Sequence, residues 1–314
     1  MNDLEKMRQE IQAIRKRNRK TGIFVWLGIA SILFIIFSVS ELSEFTTGGR
    51  ISPLALIPLL VVPLVFPGAF VLIVTLIVTS IQTKPKMVLF GTKYKEEFIL
   101  KPLLKKFKNI VYYPGQGMNR EVIRGTGMMT GDRYRANDFV AGSYKDVRFS
   151  QSDVHIENEH TDSDGDTYYV TVFKGRWMVF EFRRNFRSEV QVISKGFSGA
   201  IRKRERGKIE TEDVEFNEMF EVLTTDGMEA FYILTPDMME KIKALVKDIG
   251  DEVMFCFKDK LMHVGVNNNR DSFEPDLKKE IKVDEILAQT EKEMKLITDV
   301  VDGLEIDERI FKIG

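Results

Sequence analysis

Two transmembrane helices followed by a cytosolic α+β domain with an antiparallel sheet is the fold class the 314 residues predict. Three observations predict it. From Gly22 to Thr83 the ionisable residues are Glu41, Glu44 and Arg50, all within one short stretch between two long apolar runs. From about Asp138 to Ser194, apolar residues alternate with polar ones at the period of a half-buried strand. No strand–helix–strand alternation suggests a parallel nucleotide-binding sheet.

Residues 1–21 read as a basic amphipathic helix. Leu4, Met7, Ile11 and Ile14 fall at spacings of 3, 4 and 3, an a/d seam over two heptads. Such a seam serves self-association or lies on the inner leaflet or the chain's own domain. Two heptads alone are too short to be stable in water.

Residues 22–40 form the first span. Their 19 uncharged residues reach roughly 29 Å as a helix, close to the hydrocarbon thickness. Trp26 near its start suits the headgroup region. Ser38-Val39-Ser40 offers a signal-peptidase site, but the run exceeds a usual signal h-region of roughly 7–15 residues. Residues 41–50 form an external loop. Residues 51–83 form the second span, centred on 59–81, with Pro53, Pro58, Pro63 and Pro67 at its entry.

Orientation follows from the flanks. Arg15, Lys16, Arg17, Arg19 and Lys20 precede the first span, and Lys84, Lys86, Lys93 and Lys95 follow the second. The loop between has one arginine. The positive-inside rule then puts both termini in the cytoplasm, in a cell or inner membrane. Neither span holds an ionisable residue, which argues for an anchor rather than a transport path.

Residues 84–270 make the α+β domain. Lys84–Lys108 reads as a helix, with a break at Pro102. Ile110–Tyr113 is a short strand. A meander follows: strands through Val147–Ile156, Tyr168–Val172, Trp177–Phe182 and Val190–Ile193, with a turn at 162–166. Arg202–Thr211 reads as a linker. Asp226 with Glu229 is a capping-box pattern, and Thr235-Pro236 starts a helix that ends at Gly250. Val253–Phe257 and Leu261–Val266 form a hairpin. Residues 271–314 form an acidic helical segment, with a helix at 284–303 whose stripe is Ile286, Leu287, Met294, Ile297, Val301 and Leu304.

Charge is asymmetric. Residues 84–208 carry 25 basic and 15 acidic groups, while 209–270 carry 6 and 14, and 271–314 carry 7 and 13. The lone Cys256 permits no intrachain disulfide.

An ordered series of residues resembles a known family. It comprises Tyr94 with Phe98, Tyr112-Tyr113-Pro114, Gly142-Ser143-Tyr144 with Phe149-Ser150, and Val172-Phe173-Lys174-Gly175. Asn185-Phe186, Phe220-Glu221-Val222 and Glu229-Ala230 with Ile233-Leu234-Thr235-Pro236 complete it. The series is similar to the bacterial membrane-protein family known as domain of unknown function 3137, automatically labelled galanin-like, over roughly residues 90–275. The resemblance implies a charged helix and two spans before the domain. It implies no catalytic residue and no cofactor.

Few constellations suggest chemistry. His155 with Asp153, Glu157 and Glu159 would share one strand face and could hold a divalent cation; a wet face is the plain alternative. Asp162, Asp164 and Asp166 open like a calcium loop, but Thr167 and Phe173 stand where Gly and Glu are needed. Cys256 and His263 face each other in one hairpin register, as a nucleophile and base would; a one-residue slip parts them, and apolar Met254, Phe255 and Phe257 suit a buried structural thiol. Gly115-x-Gly117 and Gly125-x-Gly127 complete no phosphate-loop pattern. The run Arg202, Lys203, Arg204, Arg206 and Lys208 suits anionic lipid better than nucleic acid, at about 1 kcal/mol per basic residue near the surface; a plain solvated loop is the other reading.

The sequence therefore points to a membrane-anchored interaction or scaffold module. Its surface residues toward anionic inner-leaflet lipid are Arg15, Lys16, Arg17, Arg19, Lys20, Lys84, Lys86, Arg202, Lys203 and Arg204. Its acidic C-terminal segment would dock a protein partner, and self-association is open. A membrane-associated, hydrolase-like enzyme with a scattered site and an oligomeric pore or transport subunit are the alternatives.

Overall fold

The computed structural model describes residues 2–46, 56–182, 185–197, 206–271 and 273–305. The chain divides into two compact units, Met1–Tyr94 with Pro275–Ile281, and Lys95–Glu274 with Lys282–Gly314.

The first unit is built on two long helices, α1 (Asn2–Thr46) and α2 (Leu56–Lys95). No helix breaker separates the basic segment 1–21 from the apolar run, so α1 runs through both. The helices lie antiparallel. Asp3 pairs with Lys93 at 2.6 Å, Glu10 with Lys86 at 2.5 Å, and Asn18 donates to Thr79 at 3.1 Å and Gln82 at 2.9 Å. Further along, Gly22 faces Thr75 and Gly68 faces Trp26, each too close to admit a Cβ without movement. The seam Leu4, Met7, Ile11, Ile14 turns inward; Ile11 is fully buried. The segment 275–281 joins this unit: Arg8 and Gln12 donate to the Leu277 carbonyl, and Ile281 N–H donates to Glu5.

The second unit begins with a π-helical turn, Glu96–Leu100, and α3 (Lys101–Lys106). Pro102 lacks an N–H, and the wider turn before it absorbs the misfit without ending the helix. Among the described residues nine strands form one antiparallel sheet: β1 (Lys108–Tyr113), β2 (Arg133–Tyr144), β3 (Val147–Thr161), β4 (Thr167–Glu181), β5 (Val190–Ser194), β6 (Gly207–Ile209), β7 (Phe220–Thr224), β8 (Glu252–Lys258) and β9 (Leu261–Asn267). Their order is β1-β2-β3-β4-β9-β8-β5-β7-β6.

The sequence reads β4 as two strands, because Phe173-Lys174-Gly175-Arg176 breaks the alternation. It is one. Val172 is an extra residue against β3, a bulge that resets the pattern. Gly175 lets the chain pass close to β9, where a Cβ would lie 2.1 Å from the Val266 carbonyl oxygen. The latter part of the expected linker is the edge strand β6, paired with β7.

Between β1 and β2, residues 114–132 with the short helix α4 (Arg120–Arg124) lie flat on one sheet face. Met118, Ile123, Met128 and Met129 there cover Val154, Ile156, Trp177, Val179, Met254 and Cys256. Gly117 permits that approach, since a Cβ would meet Ala136 backbone at 2.3 Å.

The other face carries Phe149, Gln151 and Arg176 beneath helices. Among the helices are α5 (Val214–Met219), α6 (Gly227–Ile233), α7 (Pro236–Ile249) and α8 (Val283–Gly303). Asp226 and Thr235 cap α6 and α7, and α7 stops at Gly250 in the left-handed region, φ +72°. Glu229 does not close the capping box; it accepts instead from the Arg187 N–H at 3.1 Å. Helix α8 of the acidic segment belongs to this second unit. Met294, Ile297, Val300 and Val301 of α8 are buried, and α8 packs on α7 and α3.

Candidate functional site

The first unit carries two helices long and apolar enough to cross a membrane. Their apolar side chains are uncovered: Phe24 is 72% exposed and Ile81 68%. A core helix of this composition would be covered by its own protein. Directly before this belt, Arg15, Lys16, Arg17, Arg19, Lys20 and Lys84 are exposed, with Lys86 tied to Glu10. Asn18, between them, points inward to Thr79 and Gln82, so the polar group at the apolar boundary is satisfied within the hairpin.

Arg202, Lys203 and Arg204 lie outside the described residues, as do Arg183 and Arg184. The described remainder of that run turns toward its own domain. Arg206 pairs with Glu189 at 2.6 Å and donates to the Thr126 carbonyl at 3.2 Å, and Lys208 reaches Glu221 at 3.8 Å.

The row on β3 does share a face, yet cations and donors take its members one by one. Asp153 lies 3.5 Å from the buried Arg176 guanidinium. Glu157 pairs with Arg135 and, at 3.9 Å, with Arg133. Glu159 accepts from the Tyr169 hydroxyl at 2.9 Å. His155 Nε2 meets Thr171 Oγ1 at 3.0 Å, and burial lowers its pKa. These neighbours come from β2 and β4, whose registers set Arg135 and Lys174 opposite His155.

Beside this row opens a cavity of about 900 Å³. Asp153 and His155 line it, with Asn119 and Arg120 from the overlying segment, Lys174 from β4 and Arg270 beyond β9. Sequence reasoning missed the last four. They come from segments distant along the chain, and no local spacing marks them.

A second polar cluster lies at the β2 bulge. Between Asn137 and Val140, β2 carries two residues where β3 carries one, and Asp138 takes φ +52°. Its carboxylate is buried. It receives Lys95 Nζ at 2.8 Å, the Tyr112 hydroxyl at 2.5 Å and the Asn137 amide at 2.9 Å. Lys95 also reaches Glu274 at 2.5 Å. Burial raises the Asp138 pKa, against the pull of Lys95 and Tyr112, and burial together with Asp138 raises that of Tyr112. Asp138, Asp271 and Glu274 present oxygens within 4.8 Å of one another, the spacing of a metal site. Here the Lys95 ammonium bridges two of them, Asp138 and Glu274, and takes oxygens that a metal would need.

Cys256 and His263 are register partners across β8 and β9. Both are buried, and neither lines the cavity. Burial pushes the Cys256 thiol well up and holds His263 down to about 4. His263 Nδ1 accepts from Trp177 Nε1 at 3.3 Å. This is a core contact, not an activated thiol. Asp162 accepts from the N–H groups of Asp164 at 3.0 Å and Asp166 at 2.9 Å, which makes the acidic triplet a turn.

Residues 171–306 match the family model described as Protein of unknown function (DUF3137). No curated protein matches the chain. Among solved structures, it is similar to the mycobacterial trehalose monomycolate transport factor A, TtfA. That similarity has 12% identity and a TM-score of 0.39, over 69% of this chain and 94% of that one.

Proposed function

We propose that this chain, whose residues 171–306 carry the domain of unknown function 3137, is a two-span membrane anchor bearing a cytoplasmic interaction module. The uncovered apolar belt on α1 and α2 carries the reading. Side chains such as Phe24, Ile36, Phe70 and Ile81 are uncovered among the described residues, and lipid would bury them. The basic residues next to the belt, against one arginine between the helices, support an orientation with both termini inside. Arg15, Lys16, Arg17, Arg19, Lys20 and Lys84 then meet anionic headgroups.

Partner docking falls to the outer face of α8. Its apolar stripe is consumed by its own domain, which leaves Asp284, Glu285 and Glu291 exposed. Removing the whole segment would take away core residues. The test is therefore in-cell crosslinking of the full-length protein and a variant with Asp284→Lys, Glu285→Lys and Glu291→Lys. A co-purifying protein lost from the folded variant supports docking there; equal recovery refutes it. Resistance to alkaline carbonate extraction tests the anchor separately.

A further inference from the structure

The cavity beside β2 and β3 has an uneven charge. Arg120, Arg135, Lys174 and Arg270 reach it from α4, β2, β4 and the segment after β9. Two carboxylates, Asp153 and Asp271, share it. Asp153 lies 3.5 Å from the buried Arg176, which Glu293 shares at 3.2 Å. Lys174 and Arg270 have no carboxylate within ion-pair distance among the described residues, although oppositely charged groups abound on this protein. Two unpaired cations on a cavity wall are an open demand for an anion.

The neutral groups agree. The Asn119 side-chain oxygen Oδ1 accepts from the Glu121 N–H at 2.9 Å, which leaves its side-chain amide N–H groups to donate. Arg120 uses one nitrogen on the Gly131 carbonyl, and Arg135 one on Glu157. Each guanidinium keeps further donors. Met118, Ala136 and Val154 add an apolar wall, so the site takes more than a bare ion.

A carboxylate has two oxygens and one charge. A phosphate has more oxygens and up to two charges, and it can engage a lysine and several arginine forks at once. We propose that this cavity binds a small phosphorylated molecule, with its phosphate held by Lys174 and Arg270 and flanked by Arg120 and Arg135. The proposal does not rest on the membrane reading.

The test is calorimetric titration of the full-length protein in phosphatidylcholine nanodiscs with inorganic pyrophosphate. Saturable binding is expected. Lys174→Gln with Arg270→Gln should weaken it by about tenfold or more, while Lys208→Gln, remote from the cavity, should leave it unchanged. Asp271→Asn removes a repelling charge from the wall and should tighten binding by about two- to threefold. A merely misfolded variant could not produce that gain. Repeating the titration in phosphatidylglycerol discs at physiological salt distinguishes sources: competition there identifies a lipid headgroup, and unchanged affinity identifies a soluble ester. Absence of saturable binding, or equal binding by the folded double variant, would overturn the proposal.

Discussion

Lys95 shows what the sequence hides at the level of single residues. Its ammonium sits between Asp138 and Glu274, with Asp138 wholly buried. Removing one partner of a buried pair leaves an uncompensated charge, which costs about 3–5 kcal/mol. Lys95→Met should lower the stability of the full-length protein in detergent by that order, and Asp138→Asn added to it should restore part of the loss. Chemical denaturation measures both. His263 carries a second prediction. Its folded pKa of about 4 lies below the ordinary 6.5 because burial excludes the imidazolium. Between these values the unfolded chain takes a proton that the folded chain refuses. The contribution is complete above pH 6.5 and declines as pH falls toward 4, by about 3 kcal/mol in all. His263→Gln keeps an acceptor for Trp177 and should flatten that part of the pH–stability curve relative to the parent. The caps at Asp226 and Thr235 were legible because a cap acts within three residues of itself. The Lys95 cluster was not, since Tyr112, Asp138 and Glu274 meet only through a bulge and a loop.

Elements were legible wherever their signal was local. The helix 284–303 and the hairpin turning at Asp259-Lys260 lie within a residue or so of where periodicity and turn chemistry put them. Strand order was not legible, because β4 pairs with β9 and β5 with both β7 and β8 across long separations. The two-strand reading of β4 failed because a bulge imitates a strand end when only alternation is counted. Two substitutions test how segment 114–132 is seated. Gly117→Ala should drive that segment off Ala136 and cost about 1–3 kcal/mol or more. Gly115→Ala, with nothing within 4 Å of its Cβ, should be nearly neutral. Thermal melts of both separate a packing role from a generic loss of glycine. Helix α8 offers a similar contrast: Ile297→Ala should cost about 2–5 kcal/mol, and exposed Glu291→Lys within about 0.5 kcal/mol.

Across the whole molecule, two uncharged runs, with basic clusters before the first and after the second, stand apart from a charged remainder, and that division reads more plainly than which strand lies beside which. The hairpin adds what composition cannot: charged pairs and an internal Asn18 hold α1 to α2 beyond the apolar belt, so the seam Leu4–Ile14 is used within the chain. On the proposed topology, both ends of this hairpin and the sheet domain face the cytoplasm. Labelling of intact cells with a membrane-impermeant maleimide tests it most directly. The native Cys256 is buried and stays silent while the protein is folded. Gly48→Cys, between the helices, should label from outside in intact cells, whereas Ser163→Cys, on the exposed β3–β4 turn, should label only after permeabilisation. Labelling of position 163 in intact cells, with position 48 protected, would contradict it.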